Sequence, residues 1–154
     1  MFQRFFLICT VLIVFGVTSP QAQAIAQDQL KVVLRINTIG GLCLYGACHS
    51  ELLIYDDGKG FLREGPKEKL FTIDSKELIE LLTLIKKTDF EDLRKNKFAG
   101  MCPTAYDLDE FTYSFLTPHG EEILDSCKNT LDEQSPLFKA IRRIQTKAHN
   151  YDGK

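Results

Sequence analysis

The sequence predicts an α+β fold: a single antiparallel sheet with two helices packed on one face, in the order ββββ-α-ββ-α. Three observations carry this. Short β-branched or alternating runs are separated by Gly, Pro and Asp turn signals. A capping box opens an amphipathic helix after the fourth run. A Ser-Pro pair opens a second helix near the carboxyl end.

The chain has 154 residues, the length of one domain. Its first 24 residues read as a signal peptide. Arg4 is the only charge before Asp28, and Phe5 to Val17 is an apolar run of signal-core length, too short to span a bilayer comfortably. Ala22-Gln23-Ala24 gives the small-x-small pattern of a cleavage site, so cleavage is expected after Ala24, with Ala26 as the alternative. Residues 25–154 are then one disulfide-stapled domain, exported to the periplasm or the medium. No later apolar run reaches membrane length, so no membrane partner is expected after cleavage.

Within that domain, Lys31 to Ile36 reads as the first strand, ended by Gly40-Gly41. Glu51 to Tyr55 is the second, and Asp56-Asp57-Gly58 turns it into a third at Gly60 to Arg63. After Gly65-Pro66, Lys69 to Ile73 is the fourth. Asp74-Ser75-Lys76-Glu77 forms the capping box of a helix through Lys87, with Leu78, Ile79, Leu81, Leu82, Leu84 and Ile85 on a broad apolar face. Phe90 and Leu93 extend that packing through an irregular turn, and Arg94 to Gly100 reads as polar and flexible. Glu110 to Leu116 alternates, with Phe111, Tyr113 and Phe115 on one face and Thr112 and Ser114 on the other. Pro118-His119-Gly120 turns it back through Glu121 to Asp125. Ser135-Pro136 starts the last helix, with Leu137, Phe138, Ile141 and Ile144 apolar and a tail expected to fray from His149.

Charge and cysteine content narrow the function classes. The chain carries 19 Lys+Arg and 21 Asp+Glu; loss of residues 1–24 removes Arg4 alone, leaving a net charge of −3. Acids and bases alternate without a basic stripe, so nucleic acid is not an expected partner. Cys43, Cys48, Cys102 and Cys127 remain after cleavage, an even count that reads as disulfides in an exported domain. Four cysteines allow three pairings. Locality favours Cys43–Cys48, closing the turn Leu44-Tyr45-Gly46-Ala47, and Cys102–Cys127. A zinc site with His49 fails on spacing, because Cys102 and Cys127 form no second ligand pair. Cys43-x4-Cys48 is not a redox motif either.

Catalytic motifs are absent from the text: no nucleophile elbow and no phosphate-binding glycine loop. The acidic cluster Asp107, Asp109 and Glu110 lacks the spacing of a calcium loop and reads as a solvated turn. His49, His119 and His149 read as surface histidines. No enzyme, metal or cofactor is expected.

One segment stands apart: Met101-Cys102-Pro103-Thr104-Ala105-Tyr106-Asp107. A cysteine pins it and a proline stiffens it, biasing Cys102 towards extended backbone. A pre-stiffened loop loses less entropy on docking into a protease cleft, which binds extended strands. Met101, Cys102, Pro103, Tyr106 and Asp107 match in place the reactive loop of the subtilisin-inhibitor-like family of secreted serine-protease inhibitors, Met-Cys-Pro-x-x-Tyr-Asp, which the segment resembles. The likeness covers a quarter to a third of the chain. It implies a scissile bond at Thr104–Ala105, with Thr104 in the specificity pocket and a subtilisin-like or elastase-like protease as partner. A second resemblance, over Cys43 to Glu64 and the helix and hairpin beyond, is to exported bacterial domains, some cyanobacterial, of unknown function. It implies fold and export but no activity. The two expectations are therefore a substrate-mimic inhibitor and a non-inhibitory envelope or binding domain.

Overall fold

A computed structural model describes residues 30–40 and 48–151. The expected signal peptide, Cys43 and the turn Leu44-Tyr45-Gly46-Ala47 lie outside the described residues. Six strands form one antiparallel sheet: β1 (Val32–Gly40), β2 (His49–Tyr55), β3 (Lys59–Glu64), β4 (Lys67–Thr72), β5 (Asp109–Thr117) and β6 (Gly120–Asp125). Their spatial order is β4-β3-β2-β1-β5-β6. The first four strands meander outward from β1. The chain then crosses back through α1 (Ser75–Lys87) and α2 (Phe90–Lys95), so that β5 pairs with the free side of β1. Helix α3 (Pro136–Asn150) closes the chain. The α+β reading holds, with β1 running four residues further than the apolar pattern indicated.

Register explains which side chains meet. Leu34 stands opposite Ile54 on one side and Phe115 on the other, and Ile36 opposite Leu52 and Tyr113. Directly paired residues share a face, so these apolar side chains make one continuous surface. Leu62 and Phe71 extend it towards β4, and Leu124 towards β6. Gly60 pairs with Phe71, whose ring lies where a glycine Cβ would be: 2.2 Å from the nearest ring carbon. The helices cover this face with Leu81 and Ile85 from α1 and Leu137, Phe138, Ile141 and Ile144 from α3. Among the described residues no helix is long and apolar enough to cross a membrane.

Local chemistry sets the helix ends. Asp74 accepts from the Glu77 N–H at 2.9 Å and Glu77 reaches back to the Asp74 N–H, the expected capping box. Asp89 caps α2, which the sequence reading treated as an irregular turn. Ser135 caps α3 by accepting from the Phe138 N–H. The segment read as flexible, 94–100, is tied down. Phe98 N–H donates to the Lys128 carbonyl at 3.0 Å, Thr130 N–H donates to the Asn96 carbonyl at 2.8 Å, and the buried Asn129 amide donates to the Arg94 carbonyl at 3.3 Å.

The opposite face of the sheet is mixed. Leu70, Phe61, Leu53, Arg35, Ser114 and Ile123 form one cross-strand row. Beside it, Glu51 lies between Arg35 and Arg63 at 3.6 and 3.7 Å, and Arg63 also meets Glu68 at 3.1 Å. Ion pairs this exposed contribute little stability but keep the face wetted.

Candidate functional site

Cys102 and Cys127 form a disulfide, with Cα atoms 4.9 Å apart and 25 residues between them in sequence. Closing a loop of that length restricts the unfolded chain by about 3–4 kcal/mol on the chain-entropy account. Cys48 is also disulfide-bonded; Cys43, its expected partner, lies outside the described residues.

The disulfide holds the singled-out segment against the end of β1, but not as an extended strand. Pro103–Tyr106 is a 3-10 turn, with Pro103 in its first position where the missing N–H costs nothing. Ala105 N–H donates to the Cys102 carbonyl at 3.0 Å, and Asp107 N–H to the Thr104 carbonyl at 3.3 Å. Asp107 then takes a left-handed φ of 57° and ends the turn, so that Leu108 N–H donates back to the Pro103 carbonyl at 3.1 Å.

Thr104, which the family resemblance implies as the specificity-pocket residue, is half-buried. Its hydroxyl and its N–H both donate to the Glu110 carboxylate. Its methyl packs on Gly40, where a Cβ would lie 2.7 Å from that methyl and 2.6 Å from the Leu108 carbonyl oxygen. Gly40 has φ 114°, which strongly favours glycine. Met101, Tyr106 and Leu108 point outward, each about 60% exposed. Glu110 is thus committed to Thr104, while Asp107 and Asp109 are exposed. Cys102, Glu110 and Cys127 bring ligand atoms within 4.8 Å of one another. The sulfurs are bonded to each other, which removes the thiolates a metal would need.

The histidines separate. His49 and His119 are exposed at a strand start and a hairpin turn. His149 does not lie in a frayed tail, because α3 continues to Asn150. Its Nδ1 lies 2.7 Å from the Gln145 carbonyl, and a carbonyl can only accept, so Nδ1 carries the hydrogen. Nε2 faces Glu64 at 3.3 Å.

That pair borders a feature the sequence reading missed. A cleft of about 550 Å³ lies between the covered face of the sheet and the second half of α3. A smaller cavity of about 420 Å³ shares Phe111, Arg142 and Gln145 with it. The only available sequence signal was the replacement of apolar residues by Thr38, Ser50 and Glu64 in strands β1, β2 and β3. That signal becomes visible only once register places the three in one row. No protein-family model, curated protein or solved structure matches this chain.

Proposed function

We propose that the chain is a binding module that recognises a protein partner through the disulfide-pinned segment 101–108. The observation that carries this reading is the outward display of Met101, Tyr106 and Leu108 on backbone already fixed by the disulfide and the turn. Exposed apolar anchors on a preorganised backbone lose little entropy on docking, and tyrosine is enriched among interface hot spots. A standard interface buries about 1,600 Å² in total, more than this segment supplies. Ile39, half-exposed on the adjoining end of β1, widens the patch.

The narrower form, a substrate-mimic inhibitor of a subtilisin-like or elastase-like protease, fits the geometry less well. A protease cleft pairs with extended backbone. Here the Thr104 carbonyl and the Ala105 N–H, flanking the expected scissile bond, are used inside the turn. Substrate-like docking would first have to open it.

The test places a photo-crosslinking residue at Ala105 in cells that natively express the protein. One discrete protein adduct is expected, lost in a Met101→Ser/Tyr106→Ser variant that keeps its fold. No adduct, or a set of adducts indifferent to those substitutions, sinks the reading. A parallel titration against subtilisin, elastase and trypsin is expected to show no inhibition. Stoichiometric inhibition abolished by Thr104→Pro would replace this reading with the inhibitor.

A further inference from the structure

The covered face of the sheet should be apolar to its end, since α3 lies over it, yet its last row is not. Thr38 pairs with Ser50, Ser50 with Glu64, and Thr38 on its other side with Phe111. Placing two hydroxyls and a carboxylate on a helix-covered face gives up the stabilisation that apolar side chains there would supply. The helix opposite matches this change. Beside its apolar stripe, α3 carries Arg142, Gln145, Thr146 and His149 at helical spacing towards the same space. The two polar surfaces enclose the 550 Å³ cleft, within the range of small-ligand sites.

Charge decides what kind of ligand fits. Arg142 is held by Glu133 at 2.7 Å, and His149 faces Glu64 at 3.3 Å. Among the described residues Arg142 is the only lysine or arginine lining the cleft, and with it paired to Glu133 an anionic ligand meets no free guanidinium or ammonium there. The cleft's two carboxylates are open to water, the Glu64 side chain being 44% exposed and Asp109 exposed; the ligand-atom cluster found among the described residues lies elsewhere, at the disulfide. What remains is bifunctional: the hydroxyls of Thr38 and Ser50 and the side-chain amides of Gln145 and Asn150, each able both to donate and to accept. Ile36, Leu52 and Leu62 form an apolar floor, with the half-buried Phe111 at the junction of the two cavities.

We propose that this cleft binds a small neutral polyhydroxylated ligand, a saccharide unit. Its hydroxyls, donors and acceptors at once, meet the hydroxyl and amide side chains, and its C–H face lies on Phe111 and the aliphatic floor. The site is separate from segment 101–108, and the proposal stands without the protein-docking reading.

The test is an amide-resolved NMR titration of the purified protein with glucose, galactose, N-acetylglucosamine and cellobiose, with glucuronate and glucose 6-phosphate as charged comparators. At least one neutral sugar is expected to give saturable shifts at Thr38, Ser50, Phe111 and Gln145, with a dissociation constant of about 1 mM or tighter. Ser50→Ala and Gln145→Ala should each weaken binding about threefold to tenfold, the loss of one hydrogen bond, with the remaining spectrum unchanged. Three outcomes overturn the proposal: no saturable shift in the cleft with any neutral sugar, tighter binding of a charged comparator than of its neutral parent, or binding indifferent to both substitutions.

Discussion

Tyr113 lies between Phe111 and Phe115, with ring centroids 6.0 and 6.2 Å away, and meets the edge of Phe138 at 5.2 Å. Burial pushes its phenol up to about 12, helped by Glu133 and opposed by Arg142. In the unfolded chain the same group ionises near 10. The folded state therefore holds its proton longer, and the associated stability is intact below about pH 10 and lost as pH rises towards about 12. Phenolate absorbance followed against pH should show one step well above the others, missing in Tyr113→Phe. Ionisation of every tyrosine together near the ordinary value would contradict this placement. The inward face of Tyr113 was legible, because a period of two encodes face directly. The inward turn of Thr104 was not, because it depends on Gly40 and Glu110, brought together only by the pairing of β1 with β5.

Helix α1 shows what an apolar stripe does and does not specify. Its cap and both ends follow from Asp74-Ser75-Lys76-Glu77 and the basic last turn. Its six apolar residues, however, are more than one face can bury. Leu81 and Ile85 are buried, Leu78, Leu82 and Leu84 are partly so, and Ile79 is 64% exposed. Leu81→Ala should cost about 2–5 kcal/mol in denaturant unfolding. Ile79→Ala should stay within about 0.5 kcal/mol; equal losses would mean that the helix is rotated from the placement described. Lys147 fixes the neighbouring helix. It reaches Glu77 at 2.6 Å and Asp74 at 3.6 Å, and the hydrogen bond to Glu77 leads in raising its ammonium above the ordinary lysine value. Helix α2 escaped the sequence reading because six residues are too few to show a periodicity.

At the scale of the molecule, strand number, turn positions and the side taken by the helices were legible, since each rests on local pattern and on the need to cover one apolar face. Strand order was not. Nothing local to Asp109–Thr117 says that it completes β1 and not the exposed side of β4. The same gap hid the cleft: its polar row is assembled from residues 38, 50 and 64, and its wall from 142–149.

The central position of β1 also has a consequence in time. Its contact with β2 closes short loops, Leu34 meeting Ile54, whereas its contact with β5 joins Leu34 to Phe115. Loop closure over the longer span costs about 1 kcal/mol more, and non-local pairing is the slow part of folding. We therefore expect β1 to β4 to assemble first and the β5–β6 hairpin to dock last. Pulsed hydrogen exchange during refolding should protect β2 and β3 amides before those of β5 and β6, and simultaneous protection would refute that order. Until the hairpin arrives, the innermost strand of the finished sheet is an open edge on which a second chain can pair. Refolding yield should accordingly fall as protein concentration rises, although both edges of the completed sheet lie elsewhere.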